Sequence, residues 1–173
     1  MKHRITVKRM TLDAIMLALL CVLGMFSLPL GANVKVSLQL LIVFILCLTL
    51  PSFIDCLLVT SLYLLFGLFI PIYAGFGVGI TPTFGYAIAF VVISPIIFFI
   101  NKIPKINPLF RMSIACLVGL VICYLIGTIF MMIYLNWDFP KTLLVSVVPY
   151  IPFDIVKIVF AVLLVSLLPK KPF

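Results

Sequence analysis

The feature that most constrains this chain is its series of long apolar stretches. A helix needs about 20 apolar residues to cross the hydrocarbon core of a bilayer. Six stretches approach or reach that length, and breaks containing proline, glycine or asparagine separate most of them; they cover residues 12–28, 36–50, 53–72, 83–100, 112–135 and 145–168. We therefore predict an all-α integral membrane protein with six transmembrane helices, forming a single transmembrane domain over residues 1–173.

The composition excludes an ordinary soluble domain. Hydrophobic residues make up 66% of the 173 residues and charged residues only 9%, whereas soluble domains have about 25% charged residues. So few polar groups could not cover the surface of a chain this short in water. A lipid environment removes the need for a polar surface, so the lipid bilayer is the first partner that the sequence implies.

The distribution of positive charge predicts how the chain is oriented. Cytoplasmic loops of membrane proteins are enriched in Lys and Arg. Nine cations fall on one side of the predicted spans and two on the other; the nine are Lys2, Arg4, Lys8, Arg9, Lys102, Lys105, Arg111, Lys170 and Lys171, and the two are Lys35 and Lys141. The N-terminus, the 101–111 loop and the C-terminus are thus predicted to be cytoplasmic.

The net charge of +8 does not indicate nucleic-acid binding. Nucleic-acid binders gather their cations on one face, whereas these sit in short clusters between apolar runs. The five cysteines form no CxxC pair, and the only histidine, His3, is in the basic N-terminal tail. We therefore expect no bound metal and no cofactor.

Two ionisable residues inside the last predicted span are the strongest functional signal. Charged side chains within a membrane are costly, of order 2.5–3.5 kcal/mol each on insertion scales, and usually serve a function. Asp154 and Lys157 are three residues apart, which puts them on one helix face. They could form an ion pair that only holds the bundle together, or an acceptor and donor that bind a polar ligand; we favour the ligand.

Further polar residues fall at the same predicted depth. Gln39 begins the second span, where it could bind a ligand or a neighbouring helix. Thr83 and Tyr86 begin the fourth span. Before them, glycines at alternate positions from Gly75 to Gly79 allow a close approach to a ligand, or simply a tight turn. Together these segments predict a small-molecule pocket open to the outside, whereas Asp13 and Asp55, near the other span ends, are interpreted as interfacial.

Four segments resemble the BioY family, the biotin-specific substrate-binding (S) components of energy-coupling-factor (ECF) importers. They are Val36-Ser-Leu-Gln-Leu40, Leu62-Tyr-Leu-Leu-Phe-Gly-Leu68 leading to Pro71-Ile-Tyr-Ala-Gly75, Pro82-Thr-Phe-Gly-Tyr-Ala-Ile-Ala-Phe90 and Ile151-Pro-Phe-Asp-Ile-Val-Lys157. The resemblance implies a six-helix S-component bundle that captures biotin with high affinity from outside. It implies as partners a membrane coupling (T) protein and two ABC-type ATPases, and as location the bacterial cell membrane.

The resemblance also implies roles for particular residues. Asp154 and Lys157 would bind biotin, and the segment from Pro82 to Tyr86 would lie over the pocket. Apart from the resemblance, the chemistry of biotin makes Lys35 a second candidate for its carboxylate and Phe84 a candidate for the apolar wall. Small residues spaced by four in the first helix, here Ala14 and Ala18, would dock the T protein.

Other functional classes remain as alternatives. The chain has no GxxxxGK[ST] phosphate-binding loop, so any ATP hydrolysis is expected in partner subunits and not in this chain. A stand-alone proton-coupled carrier could use Asp154 as a titrating group. A small intramembrane enzyme is less well supported, because HExxH and GxSxG motifs are missing from the sequence. A purely structural subunit would need no outer polar cluster.

Overall fold

A computed structural model describes residues 7–29 and 35–168. Seven helices and one short antiparallel strand pair make up this part of the chain. In chain order they are α1 (Val7–Met25), β1 (Ser27–Pro29), β2 (Lys35–Ser37), α2 (Gln39–Thr49), α3 (Phe53–Gly67), α4 (Phe84–Asn101), α5 (Pro108–Leu135), α6 (Phe139–Ser146) and α7 (Ile151–Leu167).

Local sequence explains where several helices begin and end. The Ser52 side chain accepts a hydrogen bond from the Ile54 amide at the start of α3. At the start of α5, the Asn107 side chain accepts a hydrogen bond from the Leu109 amide. Pro108 suits the first position of this helix because it has no N–H group that would need a partner. Asn136 ends α5 in the left-handed conformation, with φ of 51°.

Helix α2 lies at the centre of the bundle. It packs against α1, α4 and α7, and α4 in turn packs against α3 and α5. Val43, Phe44 and Leu46 of α2 are fully buried, so the helix is apolar on every side, as expected for an element with no exposed face. This central position brings the beginning of α2 close to the beginnings of α4 and α7.

The outer surface of the bundle is apolar and its interior contains the polar groups. Helix α5 exposes a stripe that includes Val121, Leu125 and Ile129, and α7 exposes Val156 and Phe160. Buried polar residues lie within the bundle; they include Gln39, Asp55, Thr60, Ser94, Thr128, Ser146, Asp154 and Lys157. Such an arrangement would be unfavourable in water and suits a protein whose solvent is lipid.

Within residues 7–29 and 35–168, helices α4 and α5 are each long and apolar enough to cross a membrane. Helices α6 and α7 meet this condition only as a pair, bent by 51° at the break between them. Helices α2 and α3 are apolar but shorter. An all-helical membrane fold is therefore confirmed in outline.

The ends of the first five helices differ by up to five residues from the predicted spans, and two further features differ from the sequence-based expectation. The predicted span 145–168 is not one helix, because residues 147–150 separate α6 from α7. Pro149 and Pro152 explain the break, since proline disfavours helical backbone in the preceding residue and lacks an amide hydrogen. The pairing of β1 with β2, in which Leu28 lies opposite Val36, was not predicted either; three-residue strands are too short to show an alternating pattern.

Candidate functional site

A cavity of about 200 Å³ lies between α2, α4, α5, α6 and α7. Its polar lining residues include Ser37, Gln39, Thr83, Tyr86, Tyr124, Ser146, Asp154 and Lys157, and its apolar ones include Leu40, Ala87, Phe90, Met131 and Val145. The cavity thus combines an apolar wall with a few hydrogen-bonding groups, which is the usual character of a small-molecule site.

The two charged residues of the cavity, Asp154 and Lys157, form a cluster with Tyr124. Lys157 Nζ donates to Asp154 Oδ1 at 2.6 Å, and the Tyr124 hydroxyl donates to Asp154 Oδ2 at 2.5 Å. Asp154 is 4% exposed and Lys157 is 9% exposed. The carboxylate therefore has one donor on each oxygen, from α7 itself and from α5, and its charge is neutralised by the ammonium group.

A second network occupies the beginning of α2. The Gln39 side-chain amide donates to the Tyr63 hydroxyl, which donates to the Ile72 carbonyl oxygen at 3.1 Å. A β-carbon at Gly24 would lie 3.0 Å from the Tyr63 hydroxyl oxygen, so α1 passes directly beside this network. The network connects α2, α3 and the segment after α3, and α1 packs beside it. Gln39 also lines the cavity.

Tyr86 connects α4 to the end of α6. Its hydroxyl donates to the Ser146 carbonyl oxygen at 3.1 Å, and the Ser146 hydroxyl lies 3.4 Å from Thr128 Oγ1. The Tyr86 ring lies against Gly127 of α5, where an added β-carbon would come within 2.3 Å of it. Glycine is needed at this position because the ring occupies the space that a side chain would take.

The structure brings five of the predicted binding residues to one cavity. Gln39, Thr83, Tyr86, Asp154 and Lys157 all line it, although they come from three separate segments of the chain. The predicted meeting of α2, α4 and α7 side chains is thus present in the structure. Their role in binding stays a prediction.

The other predicted residues lie elsewhere. Phe84 packs in an aromatic cluster with Tyr73 and Phe130, at ring-centroid distances of 6.1 and 5.8 Å, and not in the cavity lining. Gly75 has a φ of 69°, and its amide donates to the Met25 carbonyl oxygen, so it forms a turn against the end of α1. The backbone of Lys35 pairs with Pro29 in the strand pair, and its side chain lies outside the described part of the structure.

Ala14 and Ala18 are both exposed on α1. Ile15, Leu19 and Val22 are exposed beside them. This face of α1 is thus apolar and exposed, as a docking surface would be, and the docking role stays a prediction.

Sequence reasoning missed Tyr124, Tyr73 and Ser146 in the cavity lining. Tyr124 offered one signal, since it lies in the middle of a long apolar span and a buried tyrosine hydroxyl normally finds a partner. Nothing in the sequence identified that partner as Asp154.

The cavity chemistry suits hydrogen bonding to an organic ligand. Within the described part of the chain, no three His, Cys, Asp or Glu side chains lie close enough together to hold a metal ion. The side chains that converge there are a neutralised carboxylate–ammonium pair, phenol and alcohol hydroxyls and an amide. These groups can bind and orient a ligand of mixed polarity.

The fold and the cavity together define the class: a multi-pass helical membrane protein with a partly polar cavity inside its bundle. The sequence profile of the BioY family matches residues 1–171, and the chain belongs to the BioY family. It is 33% identical over 161 residues to the "Probable biotin transporter BioY" of Pyrococcus horikoshii, an alignment that covers 91% of this chain and 93% of that protein.

A solved structure supports the same assignment. The chain superposes with a TM-score of 0.85 on the crystal structure at 2.1 Å of the "S-component for biotin from an ECF-type ABC transporter". The match has 25% sequence identity and covers 99% of this chain and 95% of that one. The resemblance inferred from four short segments is therefore confirmed over nearly the whole chain.

Proposed function

We propose that this protein is the biotin-binding S component of an ECF importer. The observation that carries the proposal is the cluster of Asp154, Lys157 and Tyr124 in the wall of the cavity, in a chain whose relatives are described as biotin transport proteins. The chain acts as a substrate-binding subunit and not as an enzyme.

The cluster matches one edge of the biotin ureido ring. That edge places an N–H donor beside a carbonyl acceptor. Asp154 and Lys157 place an acceptor beside a donor, because Lys157 has three N–H groups and only one is given to Asp154. Since the pair is neutral as a whole, it favours an uncharged head group over the biotin carboxylate.

The biotin carboxylate is then expected at cavity groups other than the Asp154–Lys157 pair. Ser37, Gln39 and Thr83 line the cavity at or next to the beginnings of α2 and α4. Helix N-termini carry unpaired N–H groups and a partial positive charge, which favour an anion. Lys35, two residues before Ser37, supplies the nearest full positive charge along the chain.

The proposed orientation places this cavity toward the outside of the cell membrane. Six crossings with cytoplasmic termini follow from the charge bias, with α6 and α7 together forming the last crossing. The beginnings of α4 and α7 and the end of α5 then face outward, and these are the ends between which the cavity lies. Biotin would enter directly from the external medium.

Delivery of biotin inward would rely on partner proteins. A T protein and two ABC-type ATPases are the expected partners, and the exposed face of α1 around Ala14 and Ala18 is the proposed T-protein contact. Small residues allow another helix to approach closely in lipid. ATP hydrolysis in the partners would then drive release.

The proposal is tested by binding of radiolabelled biotin to the purified protein in lipid nanodiscs. We expect saturable binding at a single site, displaced by unlabelled biotin and only weakly by a biotin analogue whose ureido ring is replaced by an apolar ring. A folded, monodisperse protein that fails to retain biotin would refute the proposed function.

Uptake measurements separate the importer from a stand-alone carrier. In cells that lack ECF-type ATPases, this protein alone should not concentrate biotin, and adding the T protein and ATPases should restore uptake. Uptake without ATPases that a protonophore abolishes would instead show a proton-coupled carrier.

A further inference from the structure

The Asp154 carboxylate is held by two donors from different helices. Lys157 reaches Oδ1 from one turn further along α7, and Tyr124 reaches Oδ2 from α5. We propose that Tyr124 is a positioning residue for ligand recognition, which fixes the plane of the Asp154 carboxylate and thereby acts on the ligand through Asp154. This inference rests on the proposed biotin-binding function.

Lys157 alone cannot fix the carboxylate. The two residues belong to the same helix, and the lysine side chain ends in a rotatable ammonium group that can follow the carboxylate as it turns. A phenol is rigid, and its single O–H points from a different helix. With Lys157 on Oδ1, the rigid phenol of Tyr124 fixes the direction from which Oδ2 is held, and this sets the carboxylate plane.

The same contacts determine what remains for the ligand. An ionised carboxylate has about four acceptor positions, and two are used by Tyr124 and Lys157. The remaining positions can accept N–H groups of a ligand in the cavity. The Tyr124 hydroxyl has already donated its only hydrogen, so toward a ligand it can act only as an acceptor.

Burial makes this positioning consequential. Asp154 is only 4% exposed, so little of the carboxylate surface is open to water that could take the place of a lost donor. A carboxylate that loses Tyr124 can satisfy itself by turning both oxygens toward Lys157, which removes an acceptor position from the cavity. A Tyr124→Phe protein should therefore fold, but should present Asp154 poorly.

The test is a double-mutant cycle between Tyr124→Phe and Asp154→Asn, with biotin dissociation constants measured in nanodiscs. Dissociation constants of weakened variants are read from the rise of the thermal midpoint at biotin concentrations up to the millimolar range. Tyr124→Phe should weaken binding about tenfold in the otherwise native protein, as expected for a hydrogen bond to a charged group. In the Asp154→Asn background the same change should weaken binding less than about twofold.

Tyr134→Phe is the matched control. Tyr134 lies on the same helix, and its hydroxyl donates to the Ile80 carbonyl oxygen, away from the cavity lining; its loss should leave biotin binding unchanged. A tenfold loss from Tyr124→Phe in both backgrounds would overturn the inference, because it would show an effect independent of Asp154. Undiminished binding by Tyr124→Phe would also overturn it. Failure of the native protein to bind biotin would instead refute the proposed function.

Discussion

Asp154 and Lys157 are two opposite charges buried within a bundle whose exterior is apolar. Removing one member of such a pair leaves an uncompensated charge, which costs about 3–5 kcal/mol in buried pairs. The structure adds the Tyr124 hydroxyl as a third partner, so that each carboxylate oxygen has its own donor. An Asp-to-Asn change at this site therefore leaves a lysine charge without its counter-ion and replaces an acceptor by a donor.

We predict that Asp154→Asn weakens biotin binding by about 1.5–3 kcal/mol, roughly 10- to 150-fold, because it removes a charged hydrogen-bond acceptor. Titration calorimetry on the purified variant measures this. Asp138→Asn is the control, since Asp138 is exposed and its side chain caps no amide. Unchanged affinity in folded Asp154→Asn protein would remove Asp154 from the site.

We predict that Gly127→Ala lowers the thermal midpoint and weakens ligand binding. The added methyl group would lie 2.3 Å from the Tyr86 ring, and overpacking of this kind costs about 1–3 kcal/mol. The ring would have to move, which would break its bond to Ser146. Gly77→Ala is the control, because its β-carbon would meet Tyr73 at an ordinary 3.4 Å. Equal midpoints for the two variants would contradict this explanation.

The sequence could predict the charged members of the site but not the aromatic one. Asp154 and Lys157 stand out because ionisable residues are rare in apolar spans. Tyr124 belongs to a span that contains many large apolar residues, and a phenol is tolerated at many depths of a bundle. Its role depends on how α5 is rotated against α7, which is a property of packing between helices and not of local sequence.

At the scale of secondary-structure elements, the break between α6 and α7 was the main departure from the sequence-based prediction. A hydropathy pattern averages over the break, because residues 147–150 are themselves largely apolar. The interruption places the Ser146 carbonyl at a helix end, where it accepts from Tyr86. The break therefore supplies an acceptor at the cavity edge that an uninterrupted helix would have used internally.

Helix α1 is joined to α3 by an ion pair near the predicted cytoplasmic side. Arg9 donates from Nε and from a terminal nitrogen to the two oxygens of Asp55, at 2.7 and 2.6 Å. Asp55 is buried, so the interpretation of this residue as simply interfacial was incomplete. Asp13, one turn along α1 from Arg9, has one buried oxygen without a hydrogen-bond partner among the described residues.

We predict that Asp55→Asn destabilises the protein much more than Asp13→Asn does. The first change breaks a two-bond arginine–carboxylate contact and leaves Arg9 without its partner, at a cost of about 3 kcal/mol. The second removes a charge whose buried oxygen has no hydrogen bond to lose. Thermal unfolding in detergent provides the measurement. A larger fall in midpoint for Asp13→Asn would refute this assignment of roles.

At the scale of the whole molecule, the number of crossings was more difficult to predict than the class of fold. Apolar length predicted a helical membrane protein, and this is confirmed. The length of an individual helix does not show whether it crosses the membrane. Helix α2, for example, is only about 16 Å long at 1.5 Å per residue, shorter than the hydrocarbon core of about 30 Å. Where such short helices end depends on the elements packed against them. The number of crossings therefore cannot be read from any one segment of the sequence.

We predict that a membrane-impermeant maleimide labels a cysteine at position 141 but not one at position 106 in intact cells. Lys141→Cys and Ile106→Cys would each be made in a variant from which the five native cysteines have been removed. Both positions are exposed, so orientation decides the result. Permeabilised cells provide the control, in which both should react. External labelling of position 106 would reverse the proposed topology.

The neutrality of the Asp154–Lys157 pair has an electrical consequence. A full charge carried across a membrane potential of 100 mV changes its energy by about 2.3 kcal/mol. Opposite charges 2.6 Å apart lie at nearly the same depth, so the forces that the field exerts on them cancel. The Asp154–Lys157 pair is therefore nearly insensitive to voltage, and any dependence of the proposed biotin binding on membrane potential would have to originate outside this pair, for example in the carboxylate of the ligand.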